Sequence, residues 1–227
     1  MVACRAEWET PLGYSRNWVR EVEGMGADGH PWVQLFSGRC QHCDDPACVA
    51  ACPAGAAWKR EDGIVLVDDT LCSGCELCVP ACPHEARWLN PKTDTIGKCT
   101  FCQPRVDAGL PPACVQTCVG GALHFGDAND PGSKVSRLLA AKEWVQLTTE
   151  EVPGGTSHYY YTGGRPLPHE VLPRPVGHHV QSTVLAEAVN PAAKAGIGGM
   201  LAFFAAAGLK KVIDRREARR DQEGHDE

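Results

Sequence analysis

Positive charge, aromatics and catalytic signatures are all scarce in this sequence. The 22 lysines and arginines are outnumbered by 28 acidic residues, for a formal charge of -6, whereas a nucleic-acid binder needs a basic face. Aromatics make up 7% of the 227 residues, and much of the 43% hydrophobic content is alanine. Apolar burial alone therefore makes a modest core, and something else has to help hold the fold. The chain has no nucleophile elbow, no phosphate-binding glycine loop and no zincin helix, so nothing indicates an independent active site. Its composition excludes collagen, a coiled coil and a long disordered chain. No secretory signal is visible at Met1.

What it does have is thirteen cysteines, all at or before Cys118. At ~6% of the chain they fall short of a disulfide scaffold. Cys4 stands alone, and the others form three runs: Cys40-x2-Cys43-x4-Cys48-x3-Cys52, Cys72-x2-Cys75-x2-Cys78-x3-Cys82 and Cys99-x2-Cys102-x11-Cys114-x3-Cys118. A repeat of this kind is a metal-ligand unit.

Four thiolates suit zinc or an iron–sulfur cluster. Zinc ribbons pair two Cys-x2-Cys knuckles about 12–20 residues apart. The run from Cys72 to Cys82, followed by Pro83, instead has the bacterial ferredoxin form, in which the fourth cysteine serves the other cluster of a pair. Crossing then assigns Cys40, Cys43, Cys48 and Cys82 to one set (A), and Cys72, Cys75, Cys78 and Cys52 to a second (B). Cys99, Cys102 and Cys114 lack a fourth ligand, and Cys4 is left to supply it (C). Cys118 is the remainder. A zinc-structured adaptor that binds partners without redox work is the alternative from a different class.

Several segments carry a resemblance: Arg39 to Cys43, Lys59 to Val65, Lys98 to Cys102, Pro112 to Cys114, and Gly126 to Leu139. With them, residues 1–162 resemble the four-cluster iron–sulfur subunit of the molybdenum or tungsten bis-pterin oxidoreductases. That group contains dimethyl sulfoxide, polysulfide, tetrathionate and arsenate reductases and formate dehydrogenases. Cys118-Val119-Gly120-Gly121 is similar to the tetrathionate and arsenate branches, while His84-Glu85 stands where many relatives have Tyr-Gly. The resemblance implies an electron wire without catalysis of its own. It implies a hetero-oligomer in which [4Fe-4S] clusters link a large molybdopterin catalytic subunit to a membrane quinone or haem subunit. A formate-dehydrogenase-type subunit would run electrons the other way. The family's first run is represented here only by its last cysteine, Cys4. The expectation is therefore an upstream Cys-x2-Cys-x2-Cys that completes a fourth cluster with Cys118; otherwise three clusters remain and Cys118 is a free thiol.

The expected fold is α+β, two interleaved bacterial ferredoxin-like modules with short hairpins plus a C-terminal helix. Residues 1–126 form the tandem cluster domain, and 127–162 complete it with a helix and strands. An extended Pro/Gly-rich arm suited to a partner covers 163–190, a helix 191–220 and a tail 221–227. Hairpin strands are expected at Trp58–Arg60 with Ile64–Val67, and at Ala86–Leu89 with the chain beyond Asp94. Further strands are expected at Val145–Thr148 and His158–Thr162. Asp130-Pro131 signals a helix start.

Among single residues, His42 in a cluster loop and Lys98 beside Cys99 are candidates for tuning a cluster. His42, His84, His124, His158, His169, His178 and His179 read as surface or interface residues rather than ligands, and Lys98 reads equally as solvated. Trp58, Trp88 and Phe101 read as core packing or cluster shielding. The C-terminal helix just reaches the roughly 30 Å of a bilayer core when Lys194 to Ile213 are counted. As an anchor it would put its basic end in the cytoplasm and the cluster domain in the periplasm; the alternatives are a buried or interfacial helix, and a cluster domain on the cytoplasmic face.

Overall fold

A computed structural model describes residues 1–26, 29–149, 152, 154–167 and 171–173. The elements run α1 (Val2–Glu7), β1 (Asn17–Met25), β2 (Pro31–Arg39), α2 (Ala47–Ala50), β3 (Ala57–Lys59), β4 (Val65–Val67), β5 (Trp88–Asn90), β6 (Thr95–Gly97), α3 (Gln103–Asp107), α4 (Ala113–Gln116) and α5 (Lys134–Ala141). The strands pair as three separate antiparallel hairpins, β1 with β2, β3 with β4 and β5 with β6. This is the mixture of short helices and hairpins that the spacing implied.

Two hairpins follow the ends of the first two cysteine runs, as expected, with small shifts. In the first, β3 starts at Ala57 and β4 at Val65; in the second, β5 starts at Trp88, so Ala86 lies outside it. The β1–β2 hairpin, the longest pairing, was not foreseen. Its register sets Trp18 opposite Gly38 and Gly24 opposite Trp32. Trp88 likewise lies opposite Gly97 in the β5–β6 hairpin. In each pair a Cβ on the glycine would collide with the facing indole, so each tryptophan uses its opposite glycine as a seat.

Two apolar clusters organise the chain. One gathers Cys48, Ala56, Val65, Cys72, Cys78 and Ile96, with Cys52 and Leu71 against it. Half of its buried members are cysteines, which explains how so few large side chains suffice. The other joins Val22 and Phe36 of the long hairpin to Leu147 and Val171, with Tyr160 and Leu167 alongside. Tyr160 stacks on Phe36 with 4.5 Å between centroids and donates its hydroxyl to the Ser37 carbonyl at 3.2 Å. The strands expected at Val145–Thr148 and His158–Thr162 reduce to one bridge, Val145 to Tyr160, because side-chain packing on the hairpin, not a ladder, holds them.

The helix near Asp130 begins later than its proline signal. Ser133 is the N-cap, accepting the Ser136 N–H at 3.0 Å, while the Asp130 carboxylate takes the Gly132 N–H at 2.8 Å and so closes a turn first. Of the expected arm, Leu167 and Val171 pack on the long hairpin of their own chain. The helix expected over 191–220 lies outside the described residues. Among those described, no helix is long and apolar enough to cross a membrane.

Candidate metal centre

The cysteine repeat is visible in the backbone. In three Cys-x2-Cys loops the residue before the second cysteine is left-handed: His42 (φ 47°), Gly74 (φ 67°) and Phe101 (φ 53°). The last cysteine of each run also repeats its surroundings. Cys52, Cys82 and Cys118 donate their N–H groups to the carbonyls of Val49, Val79 and Val115 at 3.0, 3.1 and 3.1 Å. Their own carbonyls accept from Gly55, Glu85 and Gly121 at 3.2, 3.1 and 3.0 Å, and those three residues are left-handed as well. The Ala57 and Ala86 N–H groups reach the sulfurs of Cys52 and Cys82, each at 3.4 Å. A hydrogen bond to a thiolate sulfur offsets part of its charge and is a lever on redox potential.

The thiols gather in groups that cross run boundaries. Cys52, from the first run, lines one cavity with Cys72, Cys75 and Cys78 of the second, walled by Ala56, Ala57, Val67 and Ile96. Burial pushes the Cys43 thiol up to about 12, and the next contributors are the thiols of Cys40, Cys82 and Cys48. Cys82 is raised to about 11 by burial and then by Cys40. Cys4, on α1, is raised to about 11 by burial, with Cys102 and Cys114 its next largest influences. Burial pushes Cys99 up to about 12, with the Cys40 thiol adding to the rise. Cys118 is half-buried and belongs to none of these groupings.

Buried cations stand among the sulfurs. The Arg39 guanidinium donates to the Cys114 sulfur at 3.6 Å, and the Trp8 indole N–H to that of Cys102 at 3.4 Å. Arg16 lies 4.2 Å over the Trp8 ring and donates to the Lys98 carbonyl at 2.7 Å. Lys98 is 1% exposed, not solvated; its ammonium donates to the carbonyls of Val65 and Cys99. Arg87 is 4% exposed, and none of its three guanidinium nitrogens finds a hydrogen-bond partner among the described residues.

These features fit a thiolate-bound cluster. A lone tetrahedral metal ion draws four sulfurs to about 2.3 Å of one point. In this chain the thiols of Cys52, Cys72, Cys75 and Cys78 ring a cavity. A buried arginine without an acidic partner is costly unless an anion faces it, and a four-thiolate cluster supplies one.

Other expectations need correction. His42 is fully buried, 0% exposed, rather than superficial; its Nδ1 accepts the Val65 N–H at 2.9 Å, tying the first loop to β4. His84 and His158 are half-buried, which agrees with an interface position, and burial pushes their imidazoles down to about 4 and about 3. Trp58 is 44% exposed and is neither core nor shield. Sequence reasoning passed over Trp8, Arg16, Arg39 and Arg87. Two of them carry a local hint: Arg39 adjoins Cys40 as Lys98 adjoins Cys99, and Arg87 is a charge set between Ala86 and Trp88 at the entry to a half-buried strand.

Residues 32–128 match the 4Fe-4S dicluster domain family. The chain is 42% identical over 163 residues to the B subunit of tetrathionate reductase from Salmonella typhimurium, covering 71% of this chain and 65% of that protein. It is 39% identical over 160 residues to the thiosulfate reductase electron transfer subunit PhsB of Salmonella typhi, covering 70% and 82%. With the tetrathionate reductase B subunit of Archaeoglobus fulgidus the identity is 40% over 161 residues, covering 71% and 73%. The chain thus spans just under two-thirds of the length of the first of these relatives and more of the other two.

Proposed function

This chain belongs to the family of 4Fe-4S dicluster electron-transfer subunits that includes the tetrathionate and thiosulfate reductase proteins, and we propose that it relays electrons through a row of three crossed clusters. In this family the subunit carries electrons and the chemistry on substrate belongs elsewhere. The sets are A (Cys40, Cys43, Cys48, Cys82), B (Cys72, Cys75, Cys78, Cys52) and C (Cys99, Cys102, Cys114, Cys4). An upstream run would add a fourth with Cys118. Bound to such thiolates, a cluster supplies one-electron oxidation and reduction with little ligand movement.

The chain's own part is to fix the sets in order and control their surroundings. Set A stands in the middle. Its Cys48 neighbours Cys78 of set B, and its Cys40 neighbours Cys99 of set C. The hairpins keep water from the sulfurs on one side, and the N–H groups of Ala57 and Ala86 aim at the crossing cysteines. The observation that carries the reading is the cavity shared by Cys52 with Cys72, Cys75 and Cys78. Set within one run, Cys52 would have no reason to be there.

The electrons are exchanged with a large molybdopterin catalytic subunit at one end and a membrane quinone or haem subunit at the other. That catalytic subunit, rather than this chain, sets the terminal substrate. The sequence of residues 191–213, which lie outside the described residues, suits an anchor; used so, it would leave the C-terminus in the cytoplasm and the cluster domain in the periplasm. Anaerobic purification of the native complex tests the proposal. It predicts a brown preparation bleached by dithionite, with about twelve iron and twelve sulfide per chain, or about sixteen of each with an upstream run. Colourless protein with stoichiometric zinc would refute it.

A further inference from the structure

The unpaired buried charge of Arg87 and the buried charge of Lys98 sit at the two junctions between neighbouring cysteine sets. Arg87 lines the cavity of Cys52, Cys72, Cys75 and Cys78, and the sulfurs it faces include Cys48 and Cys40 of set A as well as Cys78 of set B. Among the described residues no carboxylate answers it: its guanidinium nitrogens are buried without an oxygen partner, and the groups they approach are the sulfurs of Cys78 and Cys48. Lys98 is anchored by two carbonyls, those of Val65 and Cys99, and the sulfurs it faces are Cys40 and Cys48 of set A and Cys99 of set C. Both cations thus face Cys40 and Cys48 of set A and lie close enough to feel each other, while Arg87 also faces set B and Lys98 also faces set C.

We propose that Arg87 and Lys98 are junction cations, each shared by two adjacent clusters and each raising the reduction potentials of both. The inference rests on the cluster reading above. Adding an electron makes a cluster more negative, and a fixed positive charge in a low-dielectric interior favours the reduced form. A cation between two clusters stabilises the electron on either side of a hop, so the hop does not run from a stabilised site to an unstabilised one. Arginine and lysine suit the two junctions differently. Arg87 has no carbonyl to hold it and depends on the sulfurs, whereas Lys98 is fixed from the backbone and acts as a point charge. Set C has two further cations, Arg16 and Arg39, so it depends less on Lys98 than set A does.

The pattern across clusters is the test. Midpoint potentials are measured by EPR-monitored redox titration of the loaded full-length chain in its complex, with iron and sulfide counted and each signal assigned through its own cysteine variants. R87Q is expected to shift sets A and B to lower potential and leave C unmoved. K98M is expected to lower A most, C less, and leave B unmoved, and R87K to restore the R87Q shift. Unchanged potentials in fully loaded R87Q, or equal shifts of all clusters, overturn the proposal while the cluster reading stands. Absence of iron and sulfide from the parent protein would sink that reading instead. If R87Q fails to load, parent protein labelled with guanidino-15N arginine decides the matter. Arg87 is the only arginine lining the set B cavity among the described residues. A 15N coupling in the pulsed EPR signal of set B is expected, and its absence contradicts the proposal.

Discussion

His42 and Phe101 stack face to face, with centroids 3.9 Å apart and planes 13° from parallel. They occupy the same place in two cysteine loops, Cys40–Cys43 and Cys99–Cys102, and both are left-handed there. Each residue accepts a strained backbone, of order 1–3 kcal/mol, and the stack between them helps over-determine it. His158 flanks the pair, with its centroid 5.0 Å from Phe101 and 6.3 Å from His42. The contact locks the first run to the third.

Removing the ring is the first test of that lock. F101A should lower unfolding stability by about 2 kcal/mol, less than a fully buried phenylalanine costs because Phe101 is half-buried. H42N, which tolerates a left-handed backbone but cannot stack, leaves space at a fully buried site and should cost at least as much. Urea unfolding of both variants measures the difference; equal and negligible losses would show that the stack is incidental.

The repeated left-handed sites make opposite predictions at two positions. Glu85 holds φ 51° where its counterparts are Gly55 and Gly121, and its ion pair with Arg20 is long at 3.9 Å and half exposed. E85G should therefore stabilise, by about 0.5 kcal/mol, since relief of strain exceeds both the lost pair and the added chain entropy. G74A should destabilise by at least about 2 kcal/mol, because a Cβ there collides with the Asp94 carbonyl oxygen. Denaturant midpoints for the two variants should move in opposite directions.

The buried imidazole of His158 makes stability depend on pH. Burial first, and then the charge of Arg39, lowers its pKa from 6.5 to about 3. The unfolded chain thus binds the proton more readily than the folded one. The stabilisation is complete above about pH 6.5 and is lost as pH falls towards 3, at a cost of about 2 kcal/mol by pH 5. Thermal unfolding at pH 7 and pH 5 should show this, and H158F should flatten that slope even where its absolute stability is lower. An unchanged slope in H158F would place the pH sensitivity elsewhere.

Sequence spacing made the cysteine runs legible because ligand geometry is local: two intervening residues define a loop whatever surrounds it. The short hairpins after Pro53 and Pro83 were legible for the same reason. The β1–β2 hairpin was not, since Val19, Val33 and Leu35 alternate with charge or polarity on a face that stays exposed, and the tryptophan–glycine pairs that fix its register appear only once the strands face each other. The buried cations were hidden for a related reason. A charged residue reads as solvated in one dimension, and only folding shows that Lys98 and Arg87 face sulfurs from separate runs.

The exchange of the fourth cysteine between the first two runs is the central claim, and single Cys→Ser variants of the loaded protein test it through EPR of the reduced clusters. The account predicts that C82S alters the same signal as C43S, and that C52S alters the same signal as C75S. It is contradicted if C82S and C75S act on one signal while C52S and C43S act on another.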